Sequence, residues 1–275
     1  MIMFDAPTTL SPSRIDSFLS CPLAFRFSSI QNLPDPPSRA SVLGRHVHRI
    51  LELFFAHTPA DRTPAALRDS VSAATGELTD DTEFQYLAFD PDTRSAFDTE
   101  AATLAEAAMA QADPTQIDVV ALEKWVEADL GPVTLRGIID RLERVGDDLV
   151  VSDYKTGRAP RAGFEQSALS GVRFYALLCE EALGERPAAV QLLYVRTGDV
   201  ISVAPTDANR KMMLNRVKAV HTAIGRACES GDFPARTSAL CSFCAYKPWC
   251  PAFDGDPDRA ADEAPLRYTG LGRRP

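Results

Sequence analysis

The sequence predicts a mixed α/β domain built on a small central sheet, and its changes of hydrophobic period carry that prediction. Apolar residues recur at helical spacing through the first 55 residues, the period drops to two from Val119, and helical spacing returns near Phe164 and Asp207. At 275 residues the chain is long enough to bury a core without staples. Its 45% apolar and 24% charged residues are ordinary globular composition, which excludes a wholly disordered chain. No uninterrupted apolar run approaches the ~18 residues of a membrane span. The start, Met1-Ile2-Met3-Phe4-Asp5, lacks the basic and apolar stretches of a secretory signal. We therefore expect no membrane partner and a cytoplasmic setting with reduced thiols.

In chain order, Ser11-Pro12 offers a cap and a first-turn proline, Ile15, Phe18 and Leu19 share a helical face, and Cys21-Pro22 ends or kinks that helix. A loop with Pro34, Pro36 and Pro37 leads to a helix over about 41–55, whose face is Val47, Ile50, Leu51, Phe54 and Phe55. Residues 57–118 are rich in alanine and acid and read as a helical insert, an elaboration rather than the catalytic centre. Strands are predicted at Leu122–Val126, Val133–Asp140 and Leu149–Lys155, with a later pair, Val190–Val195 and Val200–Val203, around Thr197-Gly198-Asp199. Helices fit Phe164–Leu183 and Asp207–Glu229, the second closing at Gly231. Residues 1–253 are expected to form one domain, with its sheet in 119–206. The polar, proline- and glycine-rich segment 254–275 is expected to be a loose tail.

The net charge of −9 argues against a nucleic-acid binder only until its distribution is examined. Residues 51–130 hold 4 basic and 17 acidic side chains, whereas the other 195 residues hold 25 basic and 21 acidic. A basic working surface outside that segment is compatible with the total.

If Gly146-Asp147 forms a two-residue turn, Val145 pairs with Asp148 and Asp140 comes opposite Asp153. Alternation then puts Lys155 on the face of Asp153, beside Ile138. Facing carboxylates destabilise a ladder unless a cation lies between them, and magnesium or manganese would suit their oxygens. Simple hydration of both carboxylates, or a register slip of one residue, is the alternative.

These residues resemble a known family. Gly137-Ile138-Ile139-Asp140-Arg141 and Asp153-Tyr154-Lys155-Thr156-Gly157 are similar to the catalytic core of the RecB-family branch of PD-(D/E)XK nucleases. Gly44-Arg45-His46-Val47-His48 resembles that branch's helical Gly-x-x-x-His motif. The resemblance runs from Leu10 to Pro251 and is weak over about 57–118. It implies a restriction-endonuclease-like core, a small mixed β-sheet flanked by helices. It also implies Mg2+ or Mn2+ held by His48, Asp140, Asp153 and the carbonyl of Tyr154, with Lys155 orienting the attacking water. Asp140, Asp153 and Lys155 would be the catalytic residues, His46 the poorer histidine, and Arg141, Arg158 and Tyr175 contacts to DNA. One departure is visible: the family places a glutamine four residues before the tyrosine that Tyr175 matches, and here that position is Gly171.

The C-terminal region reads Cys241-Ser242-Phe243-Cys244, then Cys250 after five residues, and Cys21 is the obvious fourth thiol. Four thiolates suit either an iron–sulfur cluster or a structural zinc ion. The pattern resembles the [4Fe–4S] clasp of AddB-type nucleases and of CRISPR spacer-acquisition nucleases, which would tie the two ends of the chain together. Cys179 and Cys228 read as small core residues, and Trp125 and Trp249 as packing residues. The resemblance implies an exonuclease acting on single-stranded DNA or DNA ends in recombination or repair. A catalytically weak DNA-binding module of the same fold, or a spacer-acquisition nuclease, is the alternative. The chain has no P-loop of its own, so a helicase or recombination partner would be another chain.

Overall fold

The computed structural model describes residues 4–161, 166–269 and 271. Its elements are β1 (Thr9–Leu10), α1 (Pro12–Ser20), α2 (Pro22–Phe25), α3 (Arg39–Phe55), α4 (Pro64–Leu78), α5 (Thr82–Tyr86) and α6 (Pro91–Met109). These are followed by β2 (Asp118–Asp129), β3 (Thr134–Val145), β4 (Asp148–Lys155), α7 (Gln166–Leu183), β5 (Ala189–Tyr194), β6 (Asp199–Val203), α8 (Asp207–Ser230) and α9 (Ala260–Arg267). Every predicted helix and strand has its counterpart, apart from the start of the helix at Phe164–Leu183, which lies outside the described residues. The single domain expected over 1–253 resolves into two compact units. One is drawn from Met1–Pro37, Asp129–Leu135 and Leu214–Pro275, the other from Ser38–Ala128 and Arg136–Met213.

The second unit holds the mixed sheet. β3 and β4 form an antiparallel hairpin in register from Arg141↔Ser152 to Val145↔Asp148, the register expected from a two-residue turn. Gly146, the first turn residue, has φ +62°, a conformation that costs glycine little. β4 pairs in parallel with β5, from Val150↔Ala189 to Lys155↔Tyr194, so α7 is the crossover between them. β6 closes antiparallel on β5, and β2 pairs with β3.

The helices of the acidic segment belong to this unit's core. Val47, Ile50 and Phe54 of α3 pack with Leu67 of α4 and with Phe97, Ala101 and Leu104 of α6, in one cluster with Tyr154 and Leu193 of the strands. α3 starts from a reciprocal cap in which Ser38 and Ser41 bond each other's backbone N–H.

In the first unit, β1 lies parallel to the start of β3, with Thr9↔Thr134 and Leu10↔Leu135. Leu23, Phe27 and Leu33 share a buried cluster with Tyr246, Trp249, Ala260 and Ala264. Residues 254–269 are therefore not the loose tail expected. α9 lays Ala260 and Ala264 into that cluster, one turn apart and small enough for close approach. The indole of Trp249 donates to Glu263 at 2.8 Å, and the Tyr268 hydroxyl to the Ala245 carbonyl at 2.6 Å. Among the described residues no helix is long and apolar enough to cross a membrane.

Candidate active site

α3 buries Val47, Ile50 and Leu51, which leaves His48 half-buried at the edge of that face. Gly44, one turn earlier, lies against β4, where a Cβ would come 3.4 Å from the Thr156 hydroxyl. His48 Nε2 lies 2.9 Å from the carbonyl oxygen of Tyr154. A carbonyl can only accept, so this contact puts a proton on Nε2, and in the neutral ring the Nδ1 lone pair is the one available to a cation. That nitrogen faces Asp140 Oδ2 at 3.5 Å and Glu123 Oε1 at 4.0 Å.

His48, Glu123 and Asp140 thus form a group whose ligand atoms all lie within 4.8 Å of one another. Asp140 is held by the backbone N–H of Tyr154, which donates to its Oδ2 at 2.7 Å. Glu123 interrupts β2 at φ +41°, a left-handed conformation that a non-glycine residue adopts at a cost of about 1–3 kcal/mol. Burial, and then the Asp140 carboxylate, push the pKa of Glu123 up to about 7. Burial, and then Asp153, push Asp140 up to about 6. Two crowded carboxylates and an imidazole lone pair, short of positive charge, fit a divalent cation of the magnesium or manganese type.

The expected ligands divide. His48 and Asp140 are in the group, and its third member is Glu123, which the sequence reading passed over. Asp153 instead forms an ion pair with Lys155. The Tyr154 carbonyl is engaged by His48. Burial pulls the Lys155 pKa down, but the Asp153 and Asp140 carboxylates outweigh it and hold the ammonium above its ordinary value. The sequence did hold one sign of Glu123: a single carboxylate inside the predicted strand Leu122–Val126.

Tyr175 of α7 packs where β3 has no side chain. A Cβ on Gly137 would stand 3.0 Å from its ring and 3.0 Å from Leu178. Burial first, then the charges of Asp153 and Asp140, push its hydroxyl pKa up. Arg158 is exposed beyond β4. Arg141 corrects the expectation of a DNA contact. It is 5% exposed, pairs with Glu143 at 2.7 Å, bonds the Tyr154 hydroxyl and lies 4.7 Å from the ring centre of Phe55. Strand alternation turns it away from the face of its neighbour Asp140 and into the core. His46 is buried, stacks on Phe97 at 5.8 Å and has its pKa lowered by that burial.

In the other unit, Cys21, Cys244 and Cys250 pack against the cluster around Trp249. Backbone N–H groups reach two of the sulfurs, Arg236 to Cys21 at 3.5 Å and Ser238 to Cys241 at 3.3 Å. Burial raises the Cys244 pKa against a backbone hydrogen bond at Tyr246 that lowers it, and Cys21, Cys241 and Cys250 add smaller raising contributions. Among the described residues no three cysteines have sulfurs within 4.8 Å of one another. Cys179 and Cys228 are buried, as expected.

Comparison with known proteins gives the family. The family model for the PD-(D/E)XK nuclease superfamily matches residues 9–251. No curated protein matches the chain. Among solved structures 19 chains match. One, named "Putative exonuclease" from Eubacterium rectale, is 12% identical with TM-score 0.53, over 87% of this chain and 88% of that one. Another, SSO0001, is 14% identical with TM-score 0.43, over 90% of this chain and 88% of that one.

Proposed function

The chain belongs to the PD-(D/E)XK nuclease superfamily, and from that premise we propose that it is a metal-dependent DNA exonuclease of the RecB-family branch. Its substrates in this reading are single strands or DNA ends, and its setting recombination or repair. The observation that carries the reading is the grouping of His48, Glu123 and Asp140, with Asp140 midway along β3, together with the Asp153–Lys155 pair at the end of β4.

Phosphodiester hydrolysis adds water across a P–O bond and passes through a state richer in negative charge. A divalent cation held by His48, Glu123 and Asp140 would supply charge neutralisation and a more acidic water. The protein's own part is preorganisation. The Tyr154 peptide fixes two of the ligands, its N–H holding Asp140 and its carbonyl orienting His48. Asp153 holds the Lys155 ammonium in place, a fixed positive charge where charge develops on the phosphate. Tyr175 closes the side of the site against Gly137.

Purified protein is assayed on end-labelled single-stranded DNA with magnesium or manganese. Lys155→Ala should lower the rate about 10²–10³-fold, and Asp140→Asn should abolish metal-dependent product. Equal, negligible degradation by the wild type and both variants would overturn the catalytic reading. It would leave the second reading, a DNA-binding module that has lost turnover, which Gly171 in the place of the family glutamine favours.

The same branch supplies a role for Cys21, Cys241, Cys244 and Cys250 as ligands of a [4Fe–4S] cluster. Such a cluster would join two segments about 220 residues apart and restrict the unfolded chain. Anaerobically purified protein should be brown and contain iron. Colourless protein with stoichiometric zinc would replace the cluster with a zinc staple.

A further inference from the structure

Trp125 is not a core residue. It is 53% exposed on β2, two residues beyond Glu123, and the guanidinium of Arg136 on β3 lies 5.7 Å from its ring centre. Ile138, between Arg136 and Asp140 on β3, is 41% exposed. Leaving a large aromatic ring in water forgoes much of the hydrophobic gain that its burial would bring, and such rings cluster where a ligand covers them. At ~3.3 Å per strand residue, Trp125 lies roughly 7 Å along β2 from Glu123, and Arg136 about 13 Å along β3 from Asp140. The exposed pair therefore continues the two strands that carry the ligand carboxylates.

We propose that Trp125, flanked by Arg136, is a stacking platform for an unpaired base of a single-stranded substrate whose neighbouring phosphate is presented to the candidate metal group. The inference rests on the nuclease reading above and narrows it to unpaired strands. An indole face stacks on any base, so the platform needs no particular sequence, and a nearby guanidinium adds attraction to the backbone. The bases of an intact duplex are stacked on each other and unavailable to the ring. The chemistry favours nucleic acid over a protein partner, because a guanidinium that attracts phosphate lies beside the ring and the same strands carry the candidate ligands of a phosphate-binding cation.

The test measures binding of fluorescein-labelled oligo(dT) by anisotropy, with calcium replacing magnesium and intact substrate verified on a gel. Trp125→Ala should weaken binding about 5- to 100-fold, whereas Trp125→Phe, which keeps a ring, should stay within about threefold of wild type. On an abasic strand of the same length the wild type and Trp125→Ala should bind alike. Equal affinity of wild type and Trp125→Ala for oligo(dT), or the same loss on the abasic strand, overturns the platform. So does equal affinity joined to Trp125-dependent self-association in sedimentation, which would assign the ring to a protein contact. Wild type that cleaves DNA while Trp125→Ala binds normally removes only this inference. Wild type that neither binds nor cleaves removes the nuclease reading beneath it.

Discussion

Glu123 brings two unfavourable conditions to one residue, a left-handed backbone and a buried carboxylate beside Asp140. Its folded pKa of about 7 lies above the ordinary 4.5, so between those values the folded state binds a proton that the unfolded state has released. Stability from this group therefore falls as pH rises from about 4.5 to about 7 and stays lowered above that. In EDTA, Glu123→Gln should accordingly be more stable than wild type at pH 8, with the advantage shrinking at pH 5. Saturating magnesium at pH 8 should reverse the order, because only the carboxylate gains from the cation. Urea melts at the two pH values, with and without metal, check this. A pH-independent difference would place the strain in the backbone alone. The same residue marks a boundary of what sequence makes visible. Asp140, Asp153 and Lys155 follow from turn length and strand alternation. The aim of Glu123 depends on a local kink that no period encodes, and a single carboxylate in a strand is ordinarily a solvated one. Arg141 is the converse case: its place in the motif suggests a site residue, but alternation alone turns it inward.

At the scale of elements, α7 and the β3–β4 hairpin show two glycines with opposite meanings. Gly137 leaves a gap in β3 that Tyr175 and Leu178 fill, each 3.0 Å from where a Cβ would stand. Gly171 in α7 faces open space. Gly137→Ala should therefore cost about 1–3 kcal/mol by overpacking and displace the Tyr175 ring. Gly171→Ala should raise stability by about 0.5–1 kcal/mol, since alanine loses less freedom in a helix. Denaturant midpoints of the two variants give both signs, and destabilisation by Gly171→Ala would mean that the backbone of α7 needs glycine there. Gly171→Gln restores the family side chain at a position where a Cβ meets no neighbour, and DNA affinity above that of Gly171→Ala would show that the amide reaches substrate. The elements themselves were legible where period and caps agree: Ser11-Pro12 starts α1, and Gly146 turns the hairpin. α9 was not, because its buried face is two alanines four residues apart beside Pro265, a pattern with almost no hydrophobic signal.

For the molecule as a whole, the acidic segment and the two chain ends present different problems of stability. In the larger unit, acids of 51–130 are answered by arginines. Arg49 bonds Glu77 and Glu52 at 2.7 Å each, Arg45 pairs with Asp81 and Glu83, and Arg39 and Arg196 share Glu100. The acidity of this segment is thus partly neutralised by arginines from outside it, and the total of −9 does not of itself oppose DNA binding. In the smaller unit the ends are joined through a cluster whose buried members include two alanines, which contribute little apolar area. A cluster of this kind would gain from the cysteine-held staple proposed above, and Cys21, Cys244 and Cys250 pack against it. Cys21→Ser should therefore lower the iron content and the thermal midpoint and open the stretch 231–256 to protease. Residues 38–128, with their own packed core, should survive as a resistant fragment. Limited proteolysis with mass spectrometry, run beside an iron assay, reads both effects. Lost iron with an unchanged cleavage pattern would show that the aromatic packing of Phe27, Tyr246 and Trp249 holds the ends together without a cluster. Cleavage spread evenly through both units would show that they unfold as one, and that the staple secures the entire chain.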